Sequence, residues 1–379
     1  MRTSSRKKQK GTVAVTVALA MAFLLGIGAM AIDLGNLLVA RSELQNAADA
    51  AALAGAGCLY RRTECSNTTA PEPDWTDAQA KASSFATSPA PAPTNLVQHA
   101  VLKVVATASG FWNVTGSPAG LQTPGTFTPG TNDMPAVQVT VVKDKANANG
   151  GVPVFLAGIF GTTFLKAGAV ATAVISRPGY VGAGGLFPLA IPQCMYTSYW
   201  NTSTNSPVTY QGTPIPGQTE PQTTGQPIVF DMASTYHAGT CNQTAQWTSF
   251  NLQGSQSANV TKGLITNGNP APVAIGSPTF IQSGTEDVLF QMTQACSAKP
   301  NGNGSCEWVT VAVVDSVANP GQNQTIQAFA CLHILNEVGN GKNAHVIAQM
   351  SADQSKCETA NSGGNGPNYG ALTPPRLVQ

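Results

Sequence analysis

A run of 21 residues without a charge, Thr12–Ile32, follows directly on a basic N-terminus, and no other feature limits more narrowly what this chain can become. At 1.5 Å per residue, a helix of that length covers the roughly 30 Å hydrocarbon core of a bilayer. Arg2, Arg6, Lys7, Lys8 and Lys10 precede it, five of the 19 Lys and Arg in the 379 residues. The formal net charge is +1, yet beyond the tail acidic side chains outnumber basic ones, so the molecule is polarised. Basic flanks stay on the cytoplasmic side. This predicts residues 1–11 as a basic cytoplasmic tail, 12–32 as a transmembrane helix, and Asp33 onward outside the cytoplasm. A nucleic-acid binder needs basic side chains spread over a folded surface, so no nucleic-acid partner is expected. The competing reading is a cleaved signal peptide, because Ala29-Met30-Ala31 has the small-x-small form of a cleavage site. Against it, the apolar run exceeds the about 7–15 residues of a signal core, and the helical pattern continues past Asp33.

That continuation is specific. Leu34, Leu37, Leu38, Arg41, Leu44, Ala48 and Ala51 recur at helical spacing, with Asn36, Ser42, Glu43 and Asn46 on the other side. Ala47–Ala56 is rich in the best helix former, and Gly55 and Gly57 mark the stop. The expectation is one helix over Thr12–Ala56 whose outer part, 33–57, is a stalk with one apolar stripe. That stripe must pack on the chain's own ectodomain or on a neighbouring subunit. Within the span, Ala14, Ala18, Ala22 and Gly26 stand four apart and form one smooth ridge. In lipid, close backbone approach along small residues is what favours helix pairing, so self-association through the membrane helix is an expectation.

Beyond the stalk, charged residues are sparse and Gly, Pro, Ser, Thr and Asn abundant, but 42% hydrophobic residues and recurrent Val-rich runs argue for a folded chain. The fold expected is an N-terminal transmembrane helix continuing into a helical stalk, then a β-rich α+β ectodomain in two parts. The first part, 58–176, carries a helix over Asp74–Ala86, strands over Ala100–Ala108 and Ala136–Val142, a short apolar helix over Val152–Phe160 and a strand over Ala167–Ile175. A linker, 177–185, leads to a β-rich domain over 186–359. Its strands are expected at Phe187–Ile191, Pro227–Phe230, Asp287–Met292, Trp308–Val314, Thr325–Ile334 and His345–Gln349. Residues 360–379 read as a flexible Gly/Asn/Pro-rich tail.

Eight cysteines, all after the span and even in number, point to disulfides in an exported domain. Cys58 and Cys65 are near enough for a small loop, as are Cys296 and Cys306 across a Gly/Asn turn. Cys194, Cys241, Cys331 and Cys357 allow three pairings, of which Cys194–Cys241 with Cys331–Cys357 is the one chosen. A metal site is the alternative, but no Cys-x-x-Cys occurs, and His237/Cys241 and Cys331/His333 each lack a second ligand pair nearby. No metal, cofactor or catalytic residue is assigned. His99, His237, His333 and His345 lie in no His-Glu-x-x-His pattern, and no nucleophile elbow or Walker loop is present. Val311–Val314 followed by Asp315-Ser316 is similar to a von Willebrand A metal-binding strand end, but that motif needs Asp-x-Ser-x-Ser, and Val317 and Asn319 hold its third and fifth positions. Seven Asn-x-Ser/Thr sequons (Asn67, Asn113, Asn201, Asn242, Asn259, Asn303 and Asn323) fit glycosylation or chance equally in such a composition.

The run Lys10-Gly11-Thr12-Val13-Ala14-Val15, then Ala31-Ile32-Asp33-Leu34-Gly35-Asn36, then Ala40-Arg41-Ser42-Glu43-Leu44-Gln45-Asn46-Ala47-Ala48-Asp49-Ala50-Ala51-Ala52-Leu53-Ala54-Gly55-Ala56 resembles the N-terminal domain of TadG-like proteins of the bacterial tight-adherence (Flp) pilus systems. Val152–Val174, with Phe155, Phe160-Gly161 and Ala169-Val170-Ala171, is loosely similar to a segment often found C-terminal to that domain in the family. The resemblance implies a structural component of pilus assembly in the bacterial inner membrane. Its bulk would lie in the periplasm or cell exterior, and its partners would be the membrane and other pilus-assembly or envelope proteins. No catalytic residues are carried over. Pseudopilins of these systems are processed after a Gly with a Glu five residues on; here Thr16 stands at that distance from Gly11, so a permanent anchor is expected. The alternative class is an anchored surface adhesin or glycan-binding ectodomain, which Tyr196, Tyr199 and Trp200 would serve as a stacking platform or else occupy as core.

Overall fold

The computed structural model describes residues 12–379 except 61–64, 66–71, 88–102, 131, 146–150, 160, 162, 216–217, 219, 235–240, 251, 253–256, 285–286, 301, 340–342, 352 and 360. The basic tail, Asn67, His99 and His237 lie outside the described residues.

A single helix, α1, runs over Thr12–Gly57 without a break, 46 residues and about 69 Å. Its two halves have different surroundings. Residues 13–39 carry exposed side chains almost throughout, among them Val13, Leu19, Phe23, Leu25 and Met30. From Ala40 on, Leu44, Ala47, Ala48, Ala51, Ala52 and Ala56 are buried against the ectodomain. The stripe therefore packs on the chain's own sheet, and the stalk is free only over the few residues before Ala40.

The seat is a five-stranded sheet. Strands β1 (Lys103–Asn113), β2 (Leu121–Gln122), β3 (Asp133–Lys143) and β4 (Ala167–Val174) are antiparallel neighbours, in the order β4-β3-β1-β2. The period of two puts Val137, Val139 and Val141 of β3 on one face with Ala167, Ala169, Ala171 and Ala173 of β4, and α1 lies across that face. Alanines on both sides let the helix axis come close. A second helix, α2 (Trp75–Thr87), packs beside α1, with Asp74 capping it by accepting the N–H groups of Thr76 and Asp77. The fit there is tight: a Cβ on Gly55 would stand 2.7 Å from the Ala82 Cβ and 2.8 Å from the Ala78 carbonyl oxygen.

The second part is a closed barrel. Strands β5 (Leu189–Pro192), β6 (Val229–Ser234), β7 (Thr244–Trp247), β8 (Pro278–Phe280), β9 (Trp308–Val314), β10 (Asn323–Val338) and β11 (His345–Met350) order as β8-β10-β9-β5-β7-β6-β11. Pairing of β11 back onto β10 closes six of them into a ring, with β8 added outside. Closure removes the sheet edges that would otherwise invite aggregation. Each ring strand sends side chains into one cluster, including Leu189, Phe230, Trp247, Val311, Leu332 and Val346. The alternate residues Ala190, Ala312, Val314 and Phe329 pack outward under Leu186, Phe250, Leu264 and Ile281. Burial on both faces explains why Val311–Val314 reads as an unbroken apolar run.

Three expectations change. Asp287–Met292 is not a strand but the start of helix Asp287–Cys296, whose Leu289, Phe290, Thr293 and Cys296 are buried at helical spacing; six apolar-rich residues were too few to reveal the period. Val152–Phe160 is not one helix: Val152–Pro153 pairs with Phe164–Leu165 and only Leu156–Ile159 forms a helical turn, Pro153 and Gly158 being poor helix formers. The third concerns the linker and the C-terminal residues. Within 177–185, Tyr180–Val181 pairs with Val273–Ala274, so this is a packed joint. The C-terminal residues 360–379 are not a frayed tail. Ala371, Leu372 and Thr373 are buried, and Arg376–Leu377 pairs with β4, returning the chain to the first sheet.

Overpacking at the tightest contact should be costly. Gly55→Leu is expected to lower stability by about 1–3 kcal/mol in denaturant titration of the detergent-solubilised chain; an unchanged midpoint would contradict the close α1–α2 packing.

Candidate functional site

The feature with the most to explain is α1, half in a core and half bare. At 100° per residue, Ala14, Ala18, Ala22 and Gly26 continue directly into Asp33, Leu37, Ala40, Leu44 and Ala48. The small-residue ridge is thus the downward extension of the face that the ectodomain covers above. Nothing lies within 4 Å of a Cβ built on Gly26, and Val13, Val17, Leu25 and Ile27 beside the ridge are all more than half exposed. An uncovered helix of this hydropathy has the length and composition to cross a membrane.

Asp33 stands where the bare and covered parts meet. Its two carboxylate oxygens accept the backbone N–H groups of Phe155 and Leu156, the latter at 2.7 Å. Two charge-assisted bonds thus tie the chain 122 and 123 residues away to the helix. Gln45 makes a second tie, donating to the Val170 carbonyl at 3.3 Å while also bonding Asp49 Oδ1 on its own helix at 2.7 Å.

The eight cysteines form four disulfides: Cys58–Cys65, Cys194–Cys241, Cys296–Cys306 and Cys331–Cys357, with Cα separations of 5.7, 6.2, 5.0 and 5.6 Å. No free cysteine remains. The first locks the chain just after α1 ends. The 47-residue span of Cys194–Cys241 removes the most freedom from the unfolded chain, roughly 4 kcal/mol in the loop-entropy account against roughly 2 for Cys58–Cys65.

Tyr196, Tyr199 and Trp200 are core. All three are essentially buried, Tyr196 stacks on Tyr369, and Tyr199 stacks on Phe230 at 4.3 Å. Burial holds the Tyr196 phenol well above its ordinary pKa, and its hydroxyl donates to the Asn368 carbonyl. A sugar-stacking platform needs exposed rings, so these residues do not supply one. Asp315 is exposed while Val317, two residues on, is buried, so the strand end offers no cluster of oxygens. Asn113 is buried and donates to Asp133 at 2.8 Å, which leaves that sequon inaccessible.

Two titratable groupings escaped sequence reasoning, because strand pairing makes them. His333 on β10 stacks on Trp308 at 3.9 Å, its Nε2–H donates to Glu307 Oε1 at 3.1 Å, and its Nδ1 accepts from Gln349 at 3.0 Å. Burial lowers its pKa from 6.5, with Glu307 acting in the opposite direction. On the outer face of β6 and β11, ligand atoms of Glu220, Asp231 and His345 lie within 4.8 Å of one another, and burial and Asp231 raise the Glu220 pKa. This half-exposed trio has donor types a divalent cation accepts. A cleft of about 280 Å³ is lined in part by Leu186, Ile265, Trp308, Lys356 and Glu358.

Similarity to known proteins falls on the helix. Residues 11–57 match a family model described as Putative Flp pilus-assembly TadE/G-like. The matched segment coincides with α1, and its Ala-rich half is the part buried in the ectodomain. No curated protein and no solved structure matches the chain.

Loss of one bridge should cost about 2–5 kcal/mol, so Cys331→Ser is expected to lower the unfolding midpoint sharply, and the native chain should show no titratable thiol before reduction. The His333 pKa is depressed in the fold, so the unfolded chain binds the proton more readily. The His333 contribution to stability is therefore full above about pH 6.5 and is lost as pH drops below it. His333→Gln should flatten that slope in urea titrations between about pH 7.5 and about pH 5.5; an equal slope in both proteins would remove His333 from the account.

Proposed function

We propose that this protein is a membrane-anchored, non-catalytic structural component of tight-adherence-type pilus assembly in the bacterial envelope. The N-terminus lies in the cytoplasm and the ectodomain in the periplasm or cell exterior. The carrying observation is the pilus-assembly match over residues 11–57, on a helix whose first half is bare and apolar and whose second half is core. Such a helix couples whatever happens in the membrane to the ectodomain without a hinge. Four disulfides suit an oxidising compartment. The basic flank favours the inward orientation of residues 1–11. Partners on this reading are the lipid bilayer and other pilus-assembly or envelope proteins. The adhesin reading lacks its aromatic platform, which is core.

Self-association belongs to the proposal. The ridge Ala14, Ala18, Ala22 and Gly26 is open, and small residues permit close helix approach in lipid.

A reporter fused after Gly57 should be active only outside the cytoplasm, and deleting the chain from its host should abolish surface pili until the full chain is restored. Cytoplasmic activity would overturn the topology; normal piliation without the chain would overturn the role. Ala18→Ile with Ala22→Ile should abolish a membrane two-hybrid signal from the full chain while insertion is unchanged. A signal that persists would mean that the ridge faces lipid or another protein.

A further inference from the structure

Among the described residues of the ectodomain, apolar side chains are exposed together at the level of Asp33. Phe155 is 74% exposed, Phe164 42% and Leu165 36%, although each sits within or beside the small hairpin formed by Val152–Pro153 and Phe164–Leu165. Asp33 holds this unit by accepting from Phe155 N–H and Leu156 N–H, and these bonds satisfy its charge as well as fixing the unit's height along α1. Two cations flank it. Lys145 Nζ lies 5.9 Å from the centre of the Phe164 ring, and Lys166 is two-thirds exposed while pairing with Asp144 at 3.5 Å.

Height is what identifies the occupant. Asp33 is the first charged residue after the 21-residue uncharged run. If that run spans the hydrocarbon, Asp33 lies at the outer headgroup boundary, and whatever it clamps lies there too. Aromatic and aliphatic side chains with lysines at their rim are the composition that suits this boundary: rings reach below the phosphates and ammonium groups reach up to them. Exposed to water instead, Phe155 would be an unexplained cost at the best-tethered point of the loop. A protein partner would have no need of the match in height between the clamp and the end of the span.

We propose that the hairpin Val152–Pro153/Phe164–Leu165 with its turn Leu156–Ile159 is a membrane foot. Phe155, Phe164 and Leu165 enter the outer leaflet of the bilayer that α1 crosses, and Lys145 and Lys166 contact lipid phosphates. The proposal rests on α1 being a membrane anchor. It gives the ectodomain a second point of attachment beside the helix, which fixes its tilt on the membrane rather than leaving it to swivel about α1.

All native cysteines are bridged, so a single added cysteine can be labelled selectively. The full chain, reconstituted in phosphatidylcholine/phosphatidylglycerol vesicles, would carry an environment-sensitive fluorophore at Phe155→Cys, Leu165→Cys, Leu25→Cys or Val114→Cys. Leu25 lies in the span, and Val114 is an exposed position at the far end of β1. Lipids with a nitroxide near the headgroup should quench positions 155 and 165 several-fold more than position 114. Asp33→Ala should reduce quenching at 155 while that at 25, by a deeper nitroxide, is unchanged. Quenching at 25 with 155 and 165 no better than 114 would overturn the foot and leave the anchor standing. No quenching at 25 would overturn both. Unaltered quenching at 155 in Asp33→Ala would remove Asp33 as the clamp.

Discussion

Close contact between an alanine-lined helix face and an alanine- and valine-lined sheet face is the interaction on which the rest of this molecule depends. Ala40, Ala47, Ala48, Ala51 and Ala56 on α1, with Leu44 among them, meet the alternate alanines of Ala167–Ala173 and the valines of Val137–Val141. Methyl-to-methyl packing allows a short interlayer distance and many weak dispersion contacts, and it has little tolerance, since any larger side chain must push the layers apart. A membrane anchor normally ends in a linker. Here the same helix, unbroken, becomes a layer of the folded domain, so on the proposed reading of α1 as an anchor its direction in the membrane would fix the direction of the ectodomain.

Everything farther out is braced back to that layer. The barrel is closed and internally filled, but it is also bound to the first part by the joint around Ser176, whose hydroxyl meets Thr373 Oγ1 at 3.1 Å, and by Gln354 donating to Glu72 at 2.6 Å. Thr172 exchanges backbone hydrogen bonds with the final residues, its N–H donating to the Gln379 carbonyl at 2.9 Å and its carbonyl accepting from Val378 at 2.9 Å. A chain that leaves the first sheet, builds a barrel and returns to the first sheet does not act as two beads on a string. On the proposed reading as an assembly component, a load applied to the barrel would reach α1 through these paired strands and buried contacts.

Much of this was legible in the sequence for a physical reason. Long periodic segments carry their own signal: the uncharged run, the leucine and alanine recurrence to Ala56 and the strand patterns at Ala136–Val142 and Trp308–Val314 each repeat a period several times. The spacing of Cys58/Cys65 and Cys296/Cys306 is short enough for proximity to be readable. What stayed hidden depends on contacts distant in sequence. Asp33 was visible only as the end of a span, and nothing local says that it holds Phe155. His333 and Glu307 meet through the pairing of β9 with β10, and Asp231 meets His345 through β6 and β11. The Gly- and Asn-rich C-terminus looked frayed because composition alone describes it, whereas its order comes from a sheet edge built two hundred residues earlier.

The central claim is that the second half of α1, the helix proposed as the anchor, is a structural layer of the ectodomain, and truncation tests it most directly. Residues 33–379, without the span, should fold as a disulfide-bonded domain with cooperative thermal unfolding. Residues 58–379, deprived of the alanine face, should expose the apolar side of the first sheet and fail to give that transition. Cooperative unfolding of residues 58–379 at the same temperature as residues 33–379 would contradict the account.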